Sequence, residues 1–262
     1  MIRIIAGPCQ HESLEKSMEI AHHCKDVCDK YEIEYIFKAS YDKANRTSMD
    51  SERGLGLWPT AHSFIDIKQE IPGLKTLTDV HSVKEIRTIR DQFIHCFDVL
   101  QIPAFLCRQT DLIKEACRTD KIVNIKKGQF MAPWDVKGIL SKTESAKEVW
   151  ITERGTSFGY GRLINDFTGM YDLLTDYGSN FVYDITHSVQ QPGGPTTGGN
   201  REYVSHLARA GSALGISSFF IEVHPDPDNA PSDGPNMLKL EDFDNVVENI
   251  VEFNYAKHRD NN

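Results

Sequence analysis

The stretch FKASYDKANR, Phe37 to Arg46, gathers three fixed cations (Lys38, Lys43, Arg46) with the Ser40 hydroxyl and the Asn45 amide. It sits just past a short apolar run, Tyr35–Phe37, in a chain whose formal net charge is −9. Cations concentrated there call for an anionic partner, and donors packed so closely suit a small one. Ammonium, guanidinium, hydroxyl and amide groups together fit a phosphate and a carboxylate. A solvated lysine-rich loop is the ordinary alternative. It is disfavoured because polar and charged residues follow other apolar runs in the same way. These are Cys9, Asp79 with His81, Gln101 and then Arg108, Lys126 with Lys127, Arg154, His187, and Glu222 followed by Asp233.

Four of these residues offer metal-ligand chemistry. Cys9, His187, Glu222 and Asp233 supply one sulfur, one nitrogen and two carboxylate donors from separate segments, a mixture that suits Zn, Fe or Mn. Taken singly, Cys9 reads rather as a small core residue and His187 as a satisfied buried histidine. Glu222 is harder to dismiss, since a lone carboxylate after an apolar run is costly to bury. Lys126 ends the run IVNIK and has the character of a Schiff-base nucleophile. Its company, Lys38, Lys127 and Arg154, favours anion clamping instead. Cys24 and Cys28 stand four apart on an expected helix without a second ligand pair, and read as packing residues. The loop QQPGGPTTGG, Gln190 to Gly199, has the composition of a mobile lid. The segment HPDPD, His224 to Asp228, reads as a turn that positions Asp233.

Eight short apolar runs must carry these groups: Ile2–Ala6, Tyr35–Phe37, Lys75–Val80, Val99–Ile102, Ile122–Ile125, Val149–Thr152, Phe181–Tyr183 and Ser218–Ile221. Helical spacing fills the intervals, at about Ser13–Tyr31, His62–Glu70, Val83–Gln92, Thr110–Thr119, Pro133–Leu140, Leu163–Thr175, Glu202–Leu214 and Leu240–Ala256. Ser82 with Glu85 forms a capping-box signature at the start of the third. Strict alternation implies parallel strands with crossover helices. Eight such units match a (β/α)8 TIM barrel, here a single domain over residues 1–262, whose C-terminal strand ends meet at one rim. An open doubly wound sheet is the rival, but it usually carries fewer strands and a GxGxxG turn, which is absent.

Composition narrows the setting. Hydrophobic residues at 40% and charged residues at 26% describe an ordinary globular chain with material for a full core. No apolar run approaches the roughly 20 residues that span a bilayer, and MIRIIAGPC reads as a strand, not a signal peptide. Six cysteines in a chain of this length without a secretory signal suggest a reducing cytoplasm, not a disulfide framework. An acidic chain with no basic stripe argues against nucleic acid as the main partner.

The motifs AGPC, FKASYDKANRTS, TDVH, QIPAFLCRQTDL, NIKKGQF, ERGTSFGY, DITHS, FIEVHPDP and SDGPNML occur in this order along nearly the whole chain. In this the sequence resembles the 3-deoxy-D-manno-octulosonate-8-phosphate (Kdo8P) synthases of lipopolysaccharide synthesis. The resemblance implies condensation of phosphoenolpyruvate with arabinose 5-phosphate and release of phosphate. It implies that Lys38, Ser40, Lys43, Gln101, Lys126, Arg154 and His187 surround phosphoenolpyruvate, and that Asn45, Arg46 and Thr47 hold arabinose 5-phosphate. Arg108 would reach the sugar phosphate of a neighbouring subunit, so a homotetramer is implied. Cys9 resembles the metal-dependent kind, with His187, Glu222 and Asp233 as the other ligands. Catalytic roles fall to His187, to Asp79 and His81 as proton handlers, and to Asp233, which would share that role. The metal is expected to orient the sugar aldehyde and assist water. Thr47, GLGLW (Gly54 to Trp58) and Glu153 depart from the usual forms. The alternatives are a related DAHP-type synthase using erythrose 4-phosphate, a Schiff-base aldolase on Lys126, and a catalytically silent phosphosugar sensor.

Overall fold

A computed structural model describes residues 1–44, 52–193 and 198–259, with side chains as far as 254. Eight parallel strands form its centre: β1 (Arg3–Gly7), β2 (Glu34–Lys38), β3 (Lys75–Asp79), β4 (Val99–Ile102), β5 (Ile122–Lys126), β6 (Glu148–Glu153), β7 (Phe181–Asp184) and β8 (Ser218–His224). Each pairs in parallel with the next, and β1 pairs with β8 from Arg3↔Ser218 to Gly7↔Glu222, which closes the barrel. The rival open sheet is thereby excluded. A short strand, Leu238–Lys239, pairs in parallel with the last residues of β8, and Gln190–Gln191 pairs antiparallel with Gly198–Gly199 as a small hairpin.

Helices α1 (Leu14–Lys30), α2 (Leu57–Glu70), α3 (Val83–Thr88), α4 (Thr110–Cys117), α5 (Val136–Leu140), α6 (Phe167–Tyr177), α7 (Tyr203–Leu214) and α8 (Phe243–Arg259) form the outer layer. Ser13 caps α1 by accepting from Lys16 N, and both halves of the Ser82/Glu85 capping box are present at α3. Helix α3 runs on as a π-helical turn, Ile89–Phe93. Helix α6 begins four residues later than the expected start at Leu163. Asp166 stops it there by accepting from Gly169 N, and Ile164 is held in a bridge to Thr156. Asp166, an N-cap residue type three residues before the first buried position, Gly169, was the signal that marked the true start.

Strand periodicity divides two cores. Outward residues such as Ile4, Phe37, Leu100, Ile125, Tyr183 and Ile221 pack under the helices, together with Cys24 and Cys28. Inward residues Ile5, Ile36, Leu77, Val99, Trp150, Val182 and Phe220 fill the lower barrel. Two residues further along each strand, the same inward column presents polar groups. Ile36 is followed by Lys38, Leu77 by Asp79, Val99 by Gln101, Val182 by Asp184 and Phe220 by Glu222. Because side chains alternate with period two, an apolar floor and a charged rim lie on one inner face. At β1 this column reaches Gly7, where a Cβ would stand 2.0 Å from the Lys38 carbonyl oxygen. Only glycine lets β1 and β2 approach there.

Among the described residues, no helix is long and apolar enough to cross a membrane.

Candidate active site

The rim brings most of the expected residues together. Cys9 Sγ lies 3.1 Å from Asp233 Oδ2, and the ligand atoms of Cys9, Glu222 and Asp233 all lie within 4.8 Å of one another. His187 Nε2 faces them, 3.7 Å from Glu222 Oε2 and 4.0 Å from Asp233 Oδ2. Asp233 has φ of +51°, a left-handed conformation, in the turn after HPDPD. The Gln190 amide donates to its Oδ1 at 3.0 Å.

The donor set fits a divalent cation. Glu222 is fully buried and its Oε2 has no hydrogen-bond partner, which is costly unless a cation shares it. Burial works against the charge of Glu222, yet Lys38 and His187 hold its carboxyl below the usual range. Asp233 is partly buried, and its carboxyl is kept well below its usual value by His187 and Lys43. Burial, reinforced by Glu222, pushes the Cys9 thiol far up, so it is protonated, and a cation held there would have to displace the proton.

Asp184 was not picked out from the sequence, although it lies within DITHS. It is fully buried, and its Oδ2 lies 2.8 Å from His187 Nδ1 and accepts from Lys126 Nζ at 2.5 Å. Its Oδ1 accepts from the Thr186 and His187 amides at 3.0 and 2.8 Å. Holding Nδ1 leaves Nε2 for the ligand set, the usual carboxylate–histidine arrangement behind a metal. The only clue in the sequence was a carboxylate three residues before the histidine.

Four cations surround this cluster. Lys38 Nζ donates to Glu222 Oε1 at 2.5 Å and to the Cys9 carbonyl at 2.9 Å. Lys43 Nζ donates to Ser40 Oγ at 3.0 Å. Burial opposes the charge on Lys43, but Cys9, Glu222, Asp79 and Asp233 outweigh it and raise its pKa. Burial lowers Lys126 to about 8, although Asp184 acts in the opposite direction. The Lys126 ammonium also stands 3.3 Å above the Phe220 ring. Arg154 is buried. Its Nη2 donates to Gln190 Oε1 at 2.6 Å, while Nη1 has no partner.

A polar ladder crosses the barrel beside them. Ser40 donates to Asp79 Oδ2, Gln101 donates to Asp79 Oδ1 at 2.5 Å, Asn124 donates to Gln101 Oε1 at 2.8 Å, and Thr152 donates to Asn124 Oδ1 at 2.6 Å. Asp79 therefore has both oxygens occupied. Burial opposes its ionisation, but Lys38 and Lys43 hold its carboxyl well below the usual range. Such a group anchors neighbours better than it carries protons. His81 packs edge-on to Tyr41, with Nδ1 3.7 Å from Glu85 Oε2. Asp42 completes a loose trio with these two, but Arg53 grips Asp42 through two hydrogen bonds, and Glu85 caps α3.

One expectation changes. Lys127 does not join the anion clamp: its ammonium is buried against Glu153 Oε2 at 3.1 Å and donates to the Met131 carbonyl at 2.8 Å. Glu153 in turn accepts from the Arg154 and Gly155 amides, which sets the turn that aims Arg154. Arg108 is exposed on the loop after β4. Asn45, Arg46 and Thr47 lie outside the described residues.

Comparison with known proteins agrees with this geometry. The profile of the DAHP synthetase I family matches residues 1–256. A protein of Bartonella henselae named 2-dehydro-3-deoxyphosphooctonate aldolase is 48% identical over 260 residues, covering 98% of this chain and 91% of its own. Proteins of the same name from Caulobacter vibrioides and Brucella anthropi are 48% and 49% identical, covering 96% and 95% of this chain and 87% and 90% of theirs.

Proposed function

The chain belongs to the DAHP synthetase I family, and from this we propose that it condenses phosphoenolpyruvate with D-arabinose 5-phosphate and water. The products are 3-deoxy-D-manno-octulosonate 8-phosphate, the compound in its relatives' name, and inorganic phosphate. The DAHP-type reaction with erythrose 4-phosphate is the secondary reading. One observation carries the proposal. Arg154 Nη1 and Glu222 Oε2 are a buried donor and a buried acceptor without partners on one rim. The first fits an anionic substrate and the second a cation.

The reaction needs three things from the chain. The carboxylate and phosphate of phosphoenolpyruvate must be neutralised and fixed, a task for Lys38, Lys43, Lys126 and Arg154 with Ser40 and Gln101. Each hydrogen bond to a charged group contributes about 1.5–3 kcal/mol, so several also orient the enol carbon. C3 of phosphoenolpyruvate then attacks the sugar aldehyde, C2 becomes electron-poor and takes up water, and the hemiketal phosphate expels phosphate by C–O cleavage. The water must lose a proton. His81 is the proposed acceptor, while Asp79 and Asp233, both held as carboxylates, keep Ser40 and Gln101 and the cation in place.

Cys9, His187, Glu222 and Asp233 would hold the divalent cation, of Zn, Fe or Mn type. When bound it would supply Lewis acidity, which polarises an oxygen and lowers the pKa of water. Asp184 keeps the His187 ring turned toward that ligand set. Asn45, Arg46 and Thr47 are proposed to hold the sugar phosphate, joined by Arg108 of a neighbouring subunit in a homotetramer. Exposed Phe105, Phe130 and Trp134, on the loops after β4 and β5, suit a subunit contact of this kind. A cytoplasmic setting fits six free cysteines. Phosphate release measured side by side with arabinose 5-phosphate and erythrose 4-phosphate tests the proposal. Preference for the four-carbon sugar would move the chain to the secondary reading.

A further inference from the structure

Gln190 is the first residue of the Gln190–Gln191/Gly198–Gly199 hairpin, and its side chain points two ways. Its Oε1 accepts from Arg154 Nη2 at 2.6 Å, and its Nε2 donates to Asp233 Oδ1 at 3.0 Å. Its carbonyl accepts from Leu163 N at 3.3 Å. One amide therefore joins a cation of the anion clamp to a carboxylate of the ligand set. On the far strand of the hairpin, a Cβ at Gly199 would overlap the fully buried Asn236 side chain, so the hairpin lies directly on the turn that carries Asp233.

We infer that Gln190 is a positioning residue that couples the phosphoenolpyruvate clamp to the metal-ligand set. By accepting from Nη2 it fixes the Arg154 guanidinium and leaves Nη1 for the substrate anion. By donating to Oδ1 it fixes the Asp233 rotamer and leaves Oδ2 facing Cys9 and His187. An amide suits both contacts, because it accepts from the cation and donates to the anion. The inference rests on the reading of this rim as a phosphoenolpyruvate and metal site.

The test uses the full-length protein and two binding titrations, Mn²⁺ on the chelator-treated protein and phosphoenolpyruvate on the metal-loaded protein, without the sugar. Gln190→Met keeps the length and packing of the side chain but neither donates nor accepts. It is expected to weaken Mn²⁺ binding by roughly 10- to 100-fold, as loss of a partner behind a ligand does, and to weaken phosphoenolpyruvate binding by about ten-fold or more. Gln190→Ala repeats both measurements with a smaller side chain at this half-exposed position. If both titrations match the unaltered protein while turnover falls, Gln190 serves only the hairpin and the inference is overturned. Weakening of one ligand alone overturns the coupling. Failure of the unaltered protein to bind Mn²⁺ or phosphoenolpyruvate would instead defeat the underlying reading of the rim.

Discussion

Lys38 Nζ and Glu222 Oε1 stand 2.5 Å apart inside the barrel, with the two side chains 1% and 0% exposed. This ion pair joins the proposed anion clamp to the proposed ligand set. A buried pair contributes little net stability, but removing one partner leaves an unpaired charge. Lys38→Met is therefore expected to cost about 3–5 kcal/mol in chemical denaturation of the metal-free protein. Saturating divalent cation should recover part of that loss, because it takes over the neutralisation of Glu222. Equal losses with and without the cation would contradict the ligand role of Glu222.

Lys126 should set an alkaline limit on substrate capture. Burial lowers its pKa to about 8, against the opposing effect of Asp184 and Glu222, while Lys38 lowers it further. The charged form is the one that grips an anion, so kcat/KM for phosphoenolpyruvate should fall as pH rises through about 8. Asp184→Asn removes a group that raises this pKa, so the falling limb should move to lower pH. A limb unmoved in that variant would separate Lys126 from substrate capture.

Cation binding should release a proton. The Cys9 thiol is held far above its usual pKa by burial and by Glu222, so it enters binding protonated and must leave as thiolate. Calorimetric titration with Zn²⁺ in buffers of different ionisation enthalpy should show release of about one proton near neutral pH. Cys9→Ser should bind more weakly. No buffer dependence would argue against the sulfur ligand.

His11 should weaken the fold in mild acid. It is fully buried between Ser17 Oγ at 2.8 Å and Ser63 Oγ at 3.0 Å, and burial lowers its pKa to about 4. The unfolded chain binds this proton near pH 6.5 and the folded one only near 4, so stability is full above 6.5 and declines between them. The loss is on the order of 3 kcal/mol at the bottom of that window. His11→Gln should flatten this part of the pH profile in denaturant melts, and an unchanged slope would exclude His11 as its source.

Much of the site was legible because the barrel converts chain order into place. Several apolar runs lead directly into a functional residue, so Lys38, Gln101, Lys126 and Glu222 could be placed on one rim before any coordinates. Residues whose roles depend on a neighbour's geometry were not legible in this way. Asp184 follows a strand like any other polar residue, and only the 2.8 Å contact to His187 gives it meaning. Lys127 beside Lys126 looked like a second anion donor. The alternation of side chains turns it to the other face of β5, where Glu153 buries it. Gln190 was seen as loop composition, because nothing local in QQPGG announces contacts to Arg154 and Asp233.

The central claim is that this rim grips phosphoenolpyruvate beside a bound divalent cation and releases its phosphate when the five-carbon sugar attacks. The most direct test follows inorganic phosphate from phosphoenolpyruvate plus arabinose 5-phosphate, before chelation, after chelation, and after Mn²⁺ is restored. The account predicts phosphate release equal to sugar consumed, its loss on chelation and its return with the cation. Full turnover after verified removal of the metal, or no phosphate release with the cation present, would contradict it.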